Sequence, residues 1–321
     1  MKLRVLPALI AAVLLPLIPA ACNDSTGPNR LVWSAVPSGT SERINSIWGS
    51  SASDIWAVGY DTFIHYNGTT WSSASIPGPR PQTFFGVWGT SASDVWVVGY
   101  EPYSGTTVLH YNGAIWSNVS TGATDNLFTA VWGTSASDVR FAGVNVMLHY
   151  DGAAWSEEPS AVLESWQGVW GSSASDVWGV TYRGAILHYD GTKWSDIYDP
   201  SYGAPSLFAV WGSSASNVWA VGANNTIFQY NGSTWTAFLP TGSVTTNFIS
   251  AWGTSSTDVW FVSATVTNGP GDGMIHHYNG ATLSNALSAT TLPLYGIWGS
   301  SASDVWAVGH GGTILHGSPA H

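Results

Sequence analysis

One short segment occurs seven times in this chain, and that repetition constrains the fold more than any other feature of the sequence. The segment reads Trp-Gly-(Ser/Thr)-Ser-(Ala/Ser)-(Ser/Thr)-(Asp/Asn)-(Val/Ile), and successive copies begin 40, 44, 38, 41, 41 and 46 residues apart. The copies begin at Trp48, Trp88, Trp132, Trp170, Trp211, Trp252 and Trp298. A period of about 40 residues is typical of folds in which every copy is one supersecondary unit.

Each copy contains four short segments, in the same order, that are rich in β-branched and aromatic residues. An apolar run ends at the repeated Trp, Val-Trp-Ala-Val-Gly follows the Ser-rich turn, and Ile-Leu-His-Tyr and Trp-Ser come later. Such runs, separated by Gly, Asn and Ser, are typical of strands. An Asn-Gly or Asp-Gly pair precedes the fourth segment and predicts a hairpin, because both central residues of that turn take positive φ. These pairs are Asn67-Gly68, Asn112-Gly113, Asp151-Gly152, Asp190-Gly191, Asn231-Gly232 and Asn279-Gly280.

The pattern predicts an all-β fold, a seven-bladed β-propeller of four-stranded antiparallel blades. The seventh copy ends after Ile314-Leu315-His316 without its fourth segment, whereas Leu31-Val32-Trp33-Ser34 precedes the first copy and matches the missing one. We therefore expect the N-terminal strand to complete the last blade and close the ring, which leaves no incomplete sheet. The propeller would occupy residues 31–321.

Residues 1–21 predict an export signal, because a positive start at Lys2 and Arg4 precedes an apolar run. That run is short for a membrane-spanning helix and contains prolines. The small residues before Cys22 resemble the bacterial lipoprotein signal. The resemblance implies lipidation of Cys22, a flexible tether over residues 22–30, and a place in the bacterial cell envelope, at the outer membrane or cell surface. The alternative is a plain secretory signal, an incidental cysteine and a secreted protein.

The charge balance argues against nucleic acid as a partner. The chain has 8 Lys and Arg against 19 Asp and Glu, a net charge of -11, whereas neutralising phosphates with basic side chains supplies most of the affinity for nucleic acid. Charged residues make up 8% of the chain and apolar residues 45%. This composition excludes a disordered chain and a coiled coil, which both need many charges. We expect contact with a membrane through a lipid anchor only.

The repeats resemble the tectonin-type and BNR-type propeller repeats of exported proteins, through Ser-Asp-Val-Trp-Ala-Val-Gly and His-Tyr-Asp-Gly-Thr-Lys-Trp. The resemblance covers residues 31–321. It implies glycan binding, as in tectonin-type lectins, or the sialidase activity or assembly role of BNR-type members. The full Asp-box pattern Ser-x-Asp-x-Gly-x-Thr-Trp is not present at the Asn-Gly and Asp-Gly turns, and a shared fold by itself leaves function open.

The two faces of the predicted ring carry different sequences. The Ser-rich turns and the Asn-Gly or Asp-Gly turns change little between copies and would share one face, where aspartates such as Asp54 are expected to cap turn amides. A ring of calcium sites is the alternative, although each turn offers one carboxylate. On the opposite, divergent face we select Glu101, Tyr103 and Arg183 as ligand-binding candidates, since function commonly lies on variable loops of a rigid scaffold. Drift in exposed loops would explain the same variation.

The residue three positions before each repeated Trp forms a second candidate set. A large apolar residue stands four positions before that Trp and a small one two positions before it, and period-2 alternation would put both on the packing face. The residue between them would face the central channel. The set mixes polar and aromatic side chains, as pocket linings do, and comprises Asn45, Phe85, Thr129, Gln167, Phe208, Ile249 and Tyr295. The alternative is a channel that holds only water.

Six histidines share one position on the third segment, where the fifth copy has Gln229. Equivalent positions in neighbouring blades would lie more than about 10 Å apart, too far to share a metal ion. We therefore expect hydrogen-bonded framework residues, and we predict no metal and no cofactor. These histidines are His65, His110, His149, His188, His277 and His316.

The sequence favours a non-enzymatic binding or scaffold protein that presents its variable face to a glycan or protein partner at the cell surface. One alternative is a glycoside hydrolase or lyase of sialidase type on the same face, for which Glu157-Glu158 is a carboxylate pair without a supporting motif. The other alternative is a scaffold for envelope assembly. We assign no catalytic residue, because no nucleophile motif or phosphate-binding loop is recognisable.

Overall fold

The β-branched and aromatic runs of the repeats form the strands of the computed structural model. The structure describes residues 31–78, 80–102, 105–123, 127–159, 165–198, 204–238, 245–265, 272–286 and 290–320. Within these residues the strands pair into seven sheets of four antiparallel strands each. The predicted seven-bladed propeller is therefore confirmed.

In blades 1–6 the first strand along the chain is innermost and the fourth is outermost. Blade 7 differs, because its outermost strand precedes its three other strands in the sequence. Blade 7 contains the first and the last of the described strands, with β1 (Leu31–Ala35) outermost. Blade 1 comprises β2 (Ile44–Ser51), β3 (Asp54–Gly59), β4 (Phe63–Tyr66) and β5 (Trp71–Ser73). Blade 2 comprises β6 (Thr83–Ser91), β7 (Asp94–Glu101), β8 (Gly105–Tyr111) and β9 (Trp116–Asn118). Blade 3 comprises β10 (Phe128–Ser135), β11 (Asp138–Gly143), β12 (Val146–Tyr150) and β13 (Trp155–Glu157).

The remaining blades follow the same order along the chain. Blade 4 comprises β14 (Trp166–Ser173), β15 (Asp176–Thr181), β16 (Ile186–Tyr189) and β17 (Trp194–Tyr198). Blade 5 comprises β18 (Leu207–Ser214), β19 (Asn217–Gly222), β20 (Ile227–Tyr230) and β21 (Trp235–Ala237). Blade 6 comprises β22 (Thr246–Ser255), β23 (Asp258–Thr265), β24 (Gly273–Tyr278) and β25 (Leu283–Ala286). Blade 7 is completed by β26 (Leu294–Ser301), β27 (Asp304–Gly309) and β28 (Ile314–Pro319), with a 3-10 turn at His310–Gly312.

The N-terminal strand closes the ring, as the sequence predicts. Strand β1 pairs antiparallel with β28, from Leu31 opposite Pro319 to Ala35 opposite Leu315. The indole of Trp33 lies 5.7 Å from that of Trp260, which belongs to blade 6. The closing strand therefore both pairs with its own blade and packs against the preceding one.

The hydrophobic core lies between the blades rather than within one sheet. The cluster between blades 7 and 1 is representative, because Ile44 and Ile47 of blade 1 pack there with Trp306 and Val308 of blade 7. Each of the other clusters also joins two neighbouring blades. Burying one such side chain stabilises the fold by about 1.5–3 kcal/mol. Because each cluster lies between two blades, this stabilisation depends on neighbouring blades remaining in contact.

The innermost strand of each blade contains a β-bulge that the alternation rule does not predict. In blade 1 the pairing passes from Ile44 opposite Gly59 directly to Ser46 opposite Val58, which leaves Asn45 as the extra residue. All seven blades have the same irregularity at the same place. The prediction that the large and small residues share one face is therefore wrong. Because the bulge reverses the alternation, Ile44 shares its core cluster with Ile47.

The repeated Trp-Gly pair holds adjacent blades together. A Cβ placed on Gly89 of blade 2 would lie 2.8 Å from the six-membered ring of Trp48 in blade 1, and the same contact recurs around the ring. It ends with Trp298 of blade 7 against Gly49 of blade 1. Only glycine leaves room for the neighbouring indole here, which explains why the pair is repeated without exception.

Candidate functional site

The propeller has two chemically different faces, which we call the uniform face and the variable face. The uniform face carries the turns from first to second strand and the Asn-Gly or Asp-Gly turns from third to fourth strand. In blade 1, Gly68 has a φ of 92°, and the Asn67 Oδ1 atom accepts the backbone amides of Thr69 and Thr70, each at 3.0 Å. The variable face carries the turns from second to third strand and the links between blades. Backbone geometry thus accounts for the repeated residues of the uniform face.

An aspartate, a histidine and a tryptophan form one repeated unit beneath the uniform face. In blade 1, Trp56 stacks on the imidazole of His65 with ring centroids 4.2 Å apart. His65 Nε2 donates to Asp54 Oδ1 at 2.6 Å, and the other carboxylate oxygen of Asp54 accepts the Ser50 hydroxyl. Six blades have this His-Asp hydrogen bond, between His65 and Asp54, His110 and Asp94, His149 and Asp138, His188 and Asp176, His277 and Asp258, and His316 and Asp304. The predicted framework role of the histidines is confirmed.

Asp54 and its equivalents do not cap the amides of the Ser-rich turns, contrary to the expectation from the sequence. The turn amide of Ser53 donates to the Ser51 hydroxyl at 3.3 Å, and equivalent hydroxyls accept in the other blades. The capping prediction is therefore wrong, because the hydroxyl two residues before the amide already accepts its hydrogen bond. In the described ranges no three His, Cys, Asp or Glu side chains group as metal ligands, and no helix is long and apolar enough to cross a membrane.

In blade 5 both polar residues of the Asp-His-Trp unit are replaced. Asn217 replaces the aspartate, and Gln229, which lies opposite Trp219 in the register, replaces the histidine. Asn217 Oδ1 accepts from Trp219 Nε1 at 3.2 Å. In a complete unit, partial burial acts to raise the pKa of Asp258, but hydrogen bonds from His277 and Thr254 outweigh it, so this pKa lies below its usual value.

Blade 3 contains a buried charged cluster where most blades have the stacking tryptophan. Arg140 is buried and donates to Asp138 Oδ1 from Nη1 at 2.9 Å and to both Glu158 carboxylate oxygens from Nε at 3.2 and 3.3 Å. The cluster extends into blade 4, because Glu158 accepts Trp194 Nε1 at 2.8 Å and Arg140 donates to the Ala174 carbonyl at 3.2 Å. Both carboxylates are therefore engaged by one guanidinium.

This cluster also shifts two neighbouring pKa values. Partial burial acts to raise the pKa of Asp138, but the Thr134 hydroxyl and the Arg140 charge outweigh it, and this pKa lies below its usual value. The pKa of the Tyr189 phenol is raised by burial and by the negative charge of Glu158. The Arg140 guanidinium lies 5.1 Å from the Tyr189 ring centroid. The carboxylate pair considered for a hydrolase thus contributes one member, Glu158, to a buried structural network.

Blade 6 contains a buried hydrogen-bonded chain of serine, histidine and asparagine. His276 Nε2 lies 2.8 Å from Ser263 Oγ, and His276 Nδ1 lies 2.8 Å from Asn285 Oδ1. Burial lowers the pKa of His276 to about 4, although the Asn285 hydrogen bond acts in the opposite direction. The order of groups is that of a nucleophilic triad, but the Ser263 side chain is 0% exposed. It cannot present its hydroxyl to a substrate, so the chain is structural in this conformation.

The predicted channel-lining residues are the bulged residues of the innermost strands, and all seven are half-buried. Asn45 Nδ2 donates to the Phe84 carbonyl of blade 2 at 2.7 Å, and Thr129 Oγ1 donates to the Trp166 carbonyl of blade 4 at 2.7 Å. Gln167 Nε2 donates to the same Trp166 carbonyl at 3.2 Å. The polar members therefore bond to backbone carbonyls of the inner strands. The other members are Phe85, Phe208, Ile249 and Tyr295, placed at equivalent bulges around the ring.

The three loop candidates are placed differently. Glu101 ends strand β7 and is only 2% exposed, so its carboxylate is not presented to solvent. Arg183 is exposed in the turn between β15 and β16. Tyr103 lies outside the described residues, as does Cys22.

The variable face exposes tyrosines that the sequence analysis did not select. Tyr60, Tyr100 and Tyr182 follow the buried part of the second strand in blades 1, 2 and 4 and are 45%, 39% and 59% exposed. Their signal in the sequence is a Tyr directly after the last small residue of Val-Trp-Ala-Val-Gly. The same face has an open groove of about 500 Å³ beside blade 7, lined by residues that include Ser38, Thr40 and Thr313.

Comparison with known proteins supports the fold and leaves the family open. No protein-family model and no curated protein matches the sequence. Solved structures do match, among them YCF48 bound to D1 peptide, which is 17% identical over 92% of this chain and 100% of the other, with a TM-score of 0.71. The WD40 propeller domain of Doa1 is 9% identical over 91% and 97%, with a TM-score of 0.71. The extracellular domain of BT4673 from B. thetaiotaomicron is 13% identical over 91% and 40%, with a TM-score of 0.67. At these identities the likeness shows the fold alone.

Proposed function

We propose that this protein is a non-enzymatic binding scaffold whose variable face docks a protein partner. The observation that carries the proposal is the contrast between a face of near-identical turns and an opposite face of exposed tyrosines and arginines. Tyr and Arg are among the residue types that contribute most binding energy at protein interfaces. The YCF48 structure with its D1 peptide is a case in which a propeller of this shape holds a peptide.

The distribution of charge supports the same face. The described cations Arg43, Arg80 and Arg183 belong to the links and turns of the variable face, and Arg80 pairs with Asp61 there at 2.8 Å. On the uniform face, six aspartates of the Ser-rich turns are instead bonded to histidines, and Asp151 and Asp190 accept backbone amides of their own turns. Three of the five basic side chains in the described ranges thus lie on one face, where they can orient a partner.

A glycan is the second ligand class that we propose for the variable face. The observation in its favour is that Phe85, Phe208 and Tyr295 are half-exposed at the inner-strand bulges, where sugar rings could stack. A hydrolase gains no comparable support, because Glu158 is bound by Arg140 and Glu101 is buried. A glycan array with the Phe85→Ala, Phe208→Ala and Tyr295→Ala variant separates the two ligand classes.

Site-specific photocrosslinking in the source cells tests the proposal. A benzoylphenylalanine at position 182 of the variable face should give a discrete protein adduct, whereas the same residue at position 52 or 136 should not. Ala52 and Ala136 are the matched controls because they lie in exposed turns of the uniform face. Equal adducts from both faces, or none from the variable face, would show that the protein does not dock a partner in this way.

We also propose export and lipid anchoring at Cys22 in the bacterial cell envelope. The support is the sequence of residues 1–22, in which an apolar run ends in two small residues before the cysteine. Labelling cells with a palmitate analogue should modify the wild-type chain and not Cys22→Ser. A signal of equal strength in the variant would exclude Cys22 as the anchor.

A further inference from the structure

We propose that Tyr60 and Tyr100 form a docking site for a proline-rich segment of the partner protein, held in the polyproline II conformation. This inference rests on the proposed function and names the part of the variable face, and the kind of segment, that would be used. It starts from the boundary between blades 1 and 2, where the two exposed tyrosines belong to different blades.

The backbone places the two tyrosines on either side of one residue. Tyr60 forms an isolated antiparallel bridge with Thr83, and Thr83 pairs on its other side with Tyr100. Residues paired directly across antiparallel strands project to the same side. The three side chains therefore project together, with the smaller, half-buried Thr83 as a floor between two exposed rings.

The spacing of the rings fits the repeat of a polyproline II helix. Adjacent strands lie about 4.8 Å apart, so the Cα atoms of Tyr60 and Tyr100 are about 10 Å apart. A polyproline II helix rises about 3.1 Å per residue and has three residues per turn. Prolines three positions apart therefore face the same side at about 9 Å, so that each can contact one tyrosine ring. Aromatic-lined grooves are the usual receptors for such segments, which lose little entropy on binding.

Arg43 lies beside one end of this site. The Tyr60 amide donates to the Arg43 carbonyl at 2.9 Å, and the Arg43 guanidinium lies 5.2 Å from the Tyr295 ring centroid. Within the described residues Arg43 makes no ion pair. Its charge favours a segment that carries an acidic residue beside the prolines, and so gives the segment a direction.

The chain's own proline-containing link forms a wall of the same site. The Asp61 amide donates to the Gln82 carbonyl at 2.7 Å, and Arg80 Nη1 donates to Asp61 Oδ1 at 2.8 Å. With this link in place Tyr60 keeps 45% of its surface exposed. The tyrosine is therefore available to a second chain.

Titration of the purified full chain with a synthetic peptide tests the inference. The probe is decaproline preceded by two aspartates, and the control peptide has glycine and serine in place of every proline. We expect calorimetry to detect binding of the proline peptide only, and Tyr60→Ala with Tyr100→Ala to weaken it about tenfold or more. Tyr182→Ala is the matched control, because Tyr182 is exposed at the equivalent turn of blade 4, and it should change the affinity less than twofold.

Two further measurements distinguish the loss of a binding contact from the loss of folding. The melting temperature of each variant should equal that of the wild type, since the replaced rings are exposed, and Tyr60→Phe with Tyr100→Phe should retain binding if the rings make the contact. Equal binding of both peptides, no binding of either, or equal losses with Tyr182→Ala would overturn the inference. If crosslinking from position 182 still captures a partner, the docking function stands and only the proline-rich segment is excluded.

Discussion

The buried imidazole of blade 6 should make the stability of this protein depend on pH between about 6.5 and 4. His276 is 4% exposed, and burial lowers its pKa from 6.5 to about 4. The folded state keeps the ring neutral in this interval, whereas the unfolded chain takes up a proton. Acid therefore favours unfolding, and this loss of stability is complete once the pH is below the folded pKa.

The magnitude follows from the two pKa values of His276. Lowering the His276 pKa from 6.5 to about 4 destabilises the folded state by about 3 kcal/mol at most, because a tenfold change in proton affinity corresponds to about 1.4 kcal/mol. Between pH 7 and pH 5 the expected loss is about 2 kcal/mol, because the folded imidazole is still neutral at pH 5. The paired aspartates do not interfere in this interval, since the pKa values of Asp258 and Asp304 are lowered from 3.8.

The assay is urea denaturation followed by tryptophan fluorescence at pH 7, 6 and 5. The comparison protein is Ser263→Gly with His276→Leu, which gives blade 6 the residues that blade 2 has at Gly99 and Leu109. Its free energy of unfolding should fall about 2 kcal/mol less than that of the wild type between pH 7 and pH 5. Parallel pH profiles for the two proteins would refute the argument, because every other titrating group is common to both.

Three further predictions concern the stability of the ring and use the same denaturation assay. Arg140→Leu should lower the free energy of unfolding by about 3–5 kcal/mol, because it leaves Glu158 buried without its partner. The double variant Arg140→Trp with Glu158→Val has the residue types of blade 2 and should recover part of that free energy. No recovery would contradict the charge argument. Trp33→Ala should cost about 3–5 kcal/mol by weakening the closing strand, and unchanged stability would mean that β1 does not hold the ring closed. Trp132→Ala should cost a similar amount, since its indole lies against Gly171 of the next blade, and an unchanged melting temperature would exclude that contact as a source of stability.

The number of blades and the closure of the ring were predictable because both are properties of the repeat. Seven copies of four strand segments, and a first segment that matches the missing last one, leave one arrangement in which every sheet is complete. The framework role of the histidines was predictable by the same logic. A residue that recurs at one position in separate blades is placed by the fold and cannot share a ligand with its equivalents.

The predictions that failed concern local strand geometry and the choice between two side chains that could accept the same backbone amide. Alternation assumes a regular strand, and the bulge at Asn45 reverses it. Glycine follows the bulge in three blades, at Gly86, Gly168 and Gly296, whereas the other four have Ser or Ala there and give no such signal. The turn amides could have been capped by Asp54 or by Ser51, and a single sequence does not distinguish these acceptors. Glu101 was selected because it lies in a divergent loop, yet the strand before it continues and buries it.

The ends of β1 and β28 determine which way the propeller would point if it were anchored. Leu31 lies opposite Pro319, where both strands reach the uniform face. A chain of nine residues, from Cys22 to Leu31, spans at most about 30 Å. A lipid on Cys22 would therefore keep the Ser-rich turns close to the bilayer and turn the tyrosines toward the surrounding medium. Attachment through the C-terminal strand would likewise leave the variable face turned away from a sensor surface, where a candidate ligand can reach it.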